Sequence, residues 1–391
     1  MAIYLDNHAT TRLDPRVLEA MLPWLSDHYG NAGSLTHAFG REAREAVEAA
    51  RAQVAAAIGA EPREILFTSG ATESTNLAIL GSAGRPGRGT GRLVSWESEH
   101  SAVLDPLEHL AGRGFEVAML GVEDAASAAA GRIRPDELAE ACGAGTFLVS
   151  LLLANNEIGT IQPAAEAAGL AHACGAVLHI DAAQAVGKIP VDVDALGADL
   201  LSLSAHKFHG PKGVGALFVR RRQRVARLSP RVFGGGQERG LRSGTLDVPG
   251  IVGLGAAAEI AAASLEAEAA GMRQLRDRLW EGLNSRISDV HLNGPALADP
   301  GQRLPGNLNV RIGGVDGQTL LATLGEGELA VSSGSACSSA TPRPSHVLRA
   351  IGLDDDQARA SLRFGLSRFT TADEIDRAVG LIADAVGRLR A

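Results

Sequence analysis

SLSAHKFHGPKG, residues 202–213, runs from the end of an apolar strand into a tight turn. The strand is LLSLS at 200–204; His206 and Lys207 follow it, and Gly210 and Pro211 make the turn. An enzyme that works through a Schiff base needs a lysine amine held on a rigid strand-end turn, with a lowered pKa. The hydroxyl of Ser204 and the ring of His206 beside it are donors suited to a phosphate. Taken alone, the same residues also describe a turn carrying a surface lysine. His206 and His209 resemble a metal pair, but no third ligand stands at useful spacing, so no metal is expected.

Outward from this stretch, short apolar runs alternate with helical patterns. Residues 64–68 (EILFT), 92–95 (RLVS), 146–153 (TFLVSLLL), 176–181 (AVLHID) and 214–219 (VGALFV) read as further strands. Helical patterns begin at 73–80 and cover 163–174. Strands separated by helices predict an α/β fold with a large, mostly parallel sheet, and such sheets bind ligands at the carboxyl ends of their strands. Residues 252–286 are rich in Ala and Glu with helical periodicity, which predicts a long helix leading to a smaller α+β C-terminal domain. That part holds a strand at 307–312, a Gly/Ser-rich loop at 332–339, a helix near 346–351, a strand near 361–364 and a last helix from Thr371. A chain of 391 residues exceeds one compact core. The expected division is a large domain at 16–262, and a small domain at 1–15 plus 263–391.

The composition is that of a soluble globular protein, with 45% hydrophobic and 21% charged residues. The net charge of -8 and the lack of a basic stripe argue against a nucleic-acid partner. The run Arg220, Arg221, Arg222 reads as a solvated strand end. The start, MAIYLDNHATT, is not a signal peptide, and no uncharged apolar run of membrane length is seen. The three cysteines, Cys142, Cys174 and Cys337, are too few and too unevenly spaced for a disulfide framework. A reducing, cytoplasmic setting follows.

Two more segments have chemical content. FTSGATESTN, residues 67–76, follows a strand and opens a helix. Gly70 permits a tight turn, and the N–H groups of Ala71 and Thr72, with the Thr72 hydroxyl, make an anion site at the helix N-terminus. An ordinary Ser/Thr cap is the commoner use of such a sequence. LHIDAAQAVG, residues 178–187, places Asp181 at the end of a buried strand. A carboxylate there needs a cationic partner, and the pyridinium nitrogen of pyridoxal phosphate (PLP) is one; capping the next helix is the alternative. Strand-end lysine, phosphate-type helix start and strand-end Asp together point to PLP far more specifically than any one of them.

With these motifs the chain resembles the cysteine desulfurases, fold-type I PLP enzymes of the class V aminotransferase group. The resemblance runs nearly end to end. It includes YLDNHATT (4–11), GNAGSLTHAFG (30–40), SEH (98–100), NNEIGT (155–160), GGGQERGLRSGT (234–245), VSSGSACSS (331–339) and RFGLSRFTT (363–371), besides the motifs above. It implies that Lys207 holds the cofactor as a Schiff base and that His100 stacks on the ring and helps proton transfers. Asp181 would pair with the ring nitrogen and Gln184 with the ring hydroxyl. Thr72, Ser204 and His206 would hold the phosphate. Thr245 would reach the phosphate of a second subunit in a homodimer. Asn156 and Arg363 would hold the substrate carboxylate.

The resemblance also gives Cys337 its role. In isolation a Ser/Gly-flanked cysteine is equally a small buried filler. Within the family it is the nucleophile that takes sulfur from L-cysteine, leaving a persulfide and alanine, on a loop of the long-loop group. Cys142 and Cys174 have no expected role. The chain stops at Ala391, short of the tail with which related enzymes dock an iron–sulfur scaffold protein, so both a scaffold and a tRNA thiolation factor stand as acceptors. Three rivals share the scaffold: a PLP aminotransferase, which would not need Cys337, a selenocysteine lyase, and a non-enzymatic sulfur-carrier partner.

Overall fold

The computed structural model describes residues 2–85, 89–222, 226–324, 328–333 and 344–391. Cys337 lies outside the described residues.

Among the described residues a seven-stranded sheet organises the larger part. Its spatial order is Ile65–Thr68, Gly215–Val219, Leu200–Ser204, Val177–Asp181, Thr146–Leu152, Arg92–Trp96, Glu116–Leu120. The last five pair in parallel; Gly215–Val219 runs antiparallel between Ile65–Thr68 and Leu200–Ser204. Every residue of Thr146–Leu152 and of Leu200–Ser204 is buried. That explains their mainly apolar character: helices cover both faces of a parallel sheet, and the few polar side chains inside, such as Ser150 and Ser202, are hydrogen-bonded.

The expected strands are all present with ends moved by a residue or so. The strand Glu116–Leu120 was not anticipated. It is an edge strand with only partial burial, so its apolar signal is diluted. The run at Arg220 needs correction. Arg220 is buried, donating to Ala198 O at 2.6 Å, Val193 O at 2.8 Å and Asp194 Oδ1 at 2.6 Å. It is an internal clamp rather than a solvated strand end, because carbonyls of the preceding connection converge on it.

The helix Val248–Arg286 links the parts. It begins on the side chain of Asp247, which accepts from Gly250 N. Its first half packs on the helices Pro15–Ser26 and Ala38–Ala57, and it also packs on Ala372–Arg390. Gly255 allows the close approach: a Cβ there would stand 2.8 Å from Ala50 Cα. By length and composition this helix could cross a membrane, but half of its most apolar window is buried inside the protein.

Apolar side chains gather in two main clusters. One lies on the large sheet and includes Val47, Trp96, Ile180 and Leu254, joined by Val347, Leu348 and Ile351. The other lies on a second sheet of four antiparallel strands, Ser332–Ser333, Ser361–Gly365, Asn307–Ile312 and Val290–Leu292, covered by Ala372–Arg390. The N-terminal strand Ile3–Tyr4 pairs in parallel with Leu329–Ala330. From there residues 6–14 cross to the large sheet, where Thr11 N and Thr11 Oγ1 both donate to His206 O at 3.0 Å.

Candidate active site

The parallel strands point their carboxyl ends the same way, and the chemistry collects there. A cavity of about 460 Å³ opens at these ends. Its walls include Thr72, His100, Asn156, Asp181, Gln184, Ser204, His206, Lys207 and Arg363. Ala71 lines it as well. The walls come from segments spread over nearly the whole chain, from His8 to Arg363.

Lys207 ends a 3-10 turn, Ala205–Lys207, immediately after the strand Leu200–Ser204. Its Nζ donates to His8 O at 2.7 Å and Ala9 O at 2.8 Å. The lysine is therefore part of the cavity wall, not a surface side chain. Asp181 is buried at the end of Val177–Asp181 and accepts from Ala183 N at 2.9 Å. Burial raises its pKa, against the pull of that N–H, His100 and Lys207. Its carboxylate lines the cavity with Lys207 and His100, and a buried carboxylate in such a wall suits a cationic ligand group.

The helix Ala71–Ala83 answers the question of capping. Gly70 is its N-cap, with no side-chain cap bond. The first-turn N–H groups of Ala71 and Thr72 thus face the cavity without the ordinary Ser/Thr cap. The Ser204 hydroxyl closes the same corner, 3.6 Å from where a Gly70 Cβ would lie. His206 joins it, its Nδ1 3.1 Å from Thr10 Oγ1; burial, then Lys207, pulls its pKa down to about 4.

His100 caps the helix Ser101–Ala111 with Nδ1, which accepts from Ala102 N at 3.1 Å. Burial lowers its pKa, so the neutral ring carries its proton on Nε2. Arg363 lies fully inside, on the strand Ser361–Gly365. Its Nη2 donates to Asp6 Oδ1 at 2.8 Å and Ser332 Oγ at 3.1 Å, and its Nη1 reaches Asn156 O at 3.4 Å. Its Nε has no partner among the described residues. A buried guanidinium with a spare donor on a cavity wall suits a carboxylate.

Thr245 is not brought to this cavity. It is exposed and does not line it. Its segment is held nearby, since Arg242 Nε donates to Glu73 Oε1 at 2.9 Å on the helix Ala71–Ala83, and buried Glu238 pairs with Arg51 at 2.8 Å. Cys142 and Cys174 are neighbours: burial, then Cys174, pushes the Cys142 thiol up to about 12.

Sequence reasoning missed His8, Thr10, Lys188 and Asp6. His8 and Thr10 line the cavity, and Lys188 is buried behind it with Nζ 2.6 Å from Gln184 Oε1. The motif YLDNHATT contains three of these, but nothing local distinguishes them. Lys188 looks like any turn lysine until its burial is known.

The residues fit PLP. The cavity offers an uncapped helix N-terminus for a phosphate, a buried carboxylate for a cationic ring nitrogen, and a lysine amine within it. The family profile described as aminotransferase class-V matches residues 3–378. The chain is 51% identical over 388 residues to Cysteine desulfurase IscS of Anaeromyxobacter dehalogenans (strain 2CP-C), covering 99% of this chain and 93% of that protein. A solved structure described as "NIFS-LIKE PROTEIN" superposes with a TM-score of 0.90 at 37% identity, covering 99% of this chain and all of that one. Another, described as "SspA in complex with cysteine", has a TM-score of 0.80 at 36% identity over 95% of this chain and 100% of that chain.

Proposed function

Because the chain belongs to the aminotransferase class-V family, and within it resembles the cysteine desulfurases over its full length, we propose that it is a PLP-dependent cysteine desulfurase. The observation that carries the reading is one cavity that joins Lys207, buried Asp181, the uncapped start of Ala71–Ala83 and buried Arg363. When bound, PLP supplies an electron sink that stabilises negative charge on the substrate carbons.

The chain's own residues do the rest. The N–H groups of Ala71 and Thr72, with the side chains of Thr72, Ser204 and His206, would hold the phosphate. Asp181 would keep the ring nitrogen protonated and Gln184 would bind the ring hydroxyl. Lys207 would anchor the cofactor, and its amine would move the Cα proton of the bound L-cysteine. His100, on the cavity wall with its proton on Nε2, would serve as the proton donor. Arg363 and Asn156 hold the substrate carboxylate.

Cys337 takes the sulfur. Its thiolate forms an S–S bond with the substrate Sγ as the C–S bond breaks, and the electron pair left on carbon takes up a proton to give L-alanine. The persulfide on Cys337 then passes to an acceptor protein, either an iron–sulfur scaffold or a tRNA thiolation factor. The enzyme works in the cytoplasm as a homodimer in which Thr245 completes the partner's phosphate site.

The test is release of sulfide and alanine from L-cysteine with PLP and a thiol reductant. Wild type is expected to form both. Cys337→Ser is expected to release no sulfide while still changing the cofactor spectrum with cysteine, and Lys207→Ala to lose all turnover. Alanine formation by Lys207→Ala, or normal sulfide release by Cys337→Ser, would overturn the assignment concerned.

A further inference from the structure

His8 stands in the N-terminal crossing segment and lines the cavity, with only 2% of its surface exposed. Two contacts fix its ring. Its Nδ1 is 3.2 Å from Gln184 Oε1, and its Cδ2 edge lies against Gly365, where a Cβ would come within 2.9 Å of it. The orientation of the Gln184 amide is determined by acceptors and donors around it. Gln184 Nε2 donates to His8 O at 2.8 Å, and a carbonyl can only accept. Gln184 Oε1 is therefore the oxygen, and it also accepts from Lys188 Nζ at 2.6 Å. It follows that His8 Nδ1 carries the ring proton and donates to Gln184.

The other nitrogen, Nε2, is then a bare acceptor. It is buried and has no hydrogen-bond partner among the described residues. Burial, then the charges of Lys188 and Arg363, holds the ring well below the usual imidazole range, so it does not escape by taking a proton. An unmet acceptor in a cavity wall is costly unless a ligand or a water brings a donor.

We propose that His8 is a substrate-reading residue: its Nε2 accepts a hydrogen bond from a donor of the bound amino acid, either the amino group or the thiol. Lys188 and Gln184 are positioning residues that hold the tautomer required. The inference rests on the desulfurase reading above. His8 shares the cavity with Arg363, which holds the substrate carboxylate in that reading, and with Lys207, whose amine the substrate's replaces, and the charges of both act on its ring. A carboxylate on Arg363 and an amine replacing that of Lys207 would place the ligand's donors beside it.

The experiment uses the PLP-loaded enzyme, with wild type, His8→Asn and His8→Gln. Asn keeps a donor where Nδ1 stands and removes the acceptor; Gln places an amide oxygen near Nε2. KM for L-cysteine is measured, together with the affinity for L-alanine, which has no thiol, read from the cofactor absorbance. The affinity for 3-mercaptopropionate, which has no amine, is read by competition with L-alanine. His8→Asn is expected to weaken L-cysteine binding about tenfold, the usual cost of one such bond. The unliganded absorbance and the melting temperature stay unchanged, and His8→Gln recovers part of the loss. Weakening of L-alanine alone assigns the amine as donor, and weakening of 3-mercaptopropionate alone assigns the thiol; both support the proposal. Unchanged binding of every ligand by His8→Asn overturns it and leaves a buried water on Nε2. Equal weakening in both variants with a shifted unliganded spectrum also overturns it, reducing His8 to a prop for Gln184. A wild type that does not respond to L-cysteine overturns the desulfurase reading and this inference together.

Discussion

His179 is a buried histidine with both ring nitrogens in use, Nδ1 2.9 Å from Ser150 Oγ and Nε2 2.9 Å from Ser202 Oγ. Burial pushes its pKa down to about 3. The unfolded chain, with an imidazole near 6.5, binds the proton first, so this group's stabilisation is complete above that pH and is lost as the pH falls toward the folded value. His179→Gln keeps a donor and an acceptor but does not titrate. The wild type is therefore expected to lose about 1–2 kcal/mol more than the variant between pH 7 and pH 5, measured by urea unfolding. Parallel losses in the two proteins would refute the assignment. At this scale the sequence was readable where chemistry follows from position along a strand: Asp181 and Lys207 each stand at a strand end. It was not readable for His8, whose ring is fixed by Gln184, 176 positions away.

At the scale of the element, the start of the helix Ala71–Ala83 is decided by one backbone angle. Gly70 has φ of 151°, which a side chain rarely adopts, although a Cβ would have room. Gly70→Ala is expected to cost about 1–2 kcal/mol of stability and to turn the first N–H groups away from the phosphate. Melting of the apo and PLP-loaded forms checks both effects: the gain in melting temperature on adding PLP should shrink in the variant. An unchanged gain would remove this helix start from the phosphate site. The motif FTSGATESTN left an ordinary cap and an anion site open, because both use the same residues. The choice was made by the backbone, which puts Gly70 rather than Ser69 or Thr72 at the N-cap. The edge strand Glu116–Leu120 escaped for a related reason, since its pairing to Arg92–Trp96 supplies what its composition lacks.

At the scale of the molecule, apolar side chains remain on the outside. Tyr29 is 73% and Phe233 79% exposed, with Leu22 and Leu25 more than half exposed. Thr245 is exposed too, on a segment tied down by the pairs Arg242–Glu73 and Glu238–Arg51. A homodimer that covers such residues and receives Thr245 is expected. Sedimentation should show a dimer, Phe233→Ser should weaken it, and Thr245→Ala should leave it intact but loosen PLP; a fully active monomer would refute the arrangement. What the sequence determined by itself is the α/β class and six of the seven strands of the large sheet, with Asp181 and Lys207 at strand ends, because apolar periodicity and strand-end placement are local and survive without knowledge of neighbours. What only the tertiary structure decided is the company those residues keep: Arg220 buried as a clamp, Lys188 buried behind Gln184, Asp6 on Arg363, and the bare nitrogen of His8. Burial and hydrogen-bond partners depend on which distant segments meet, and that information exists only once the two sheets and the crossing N-terminal segment are packed together.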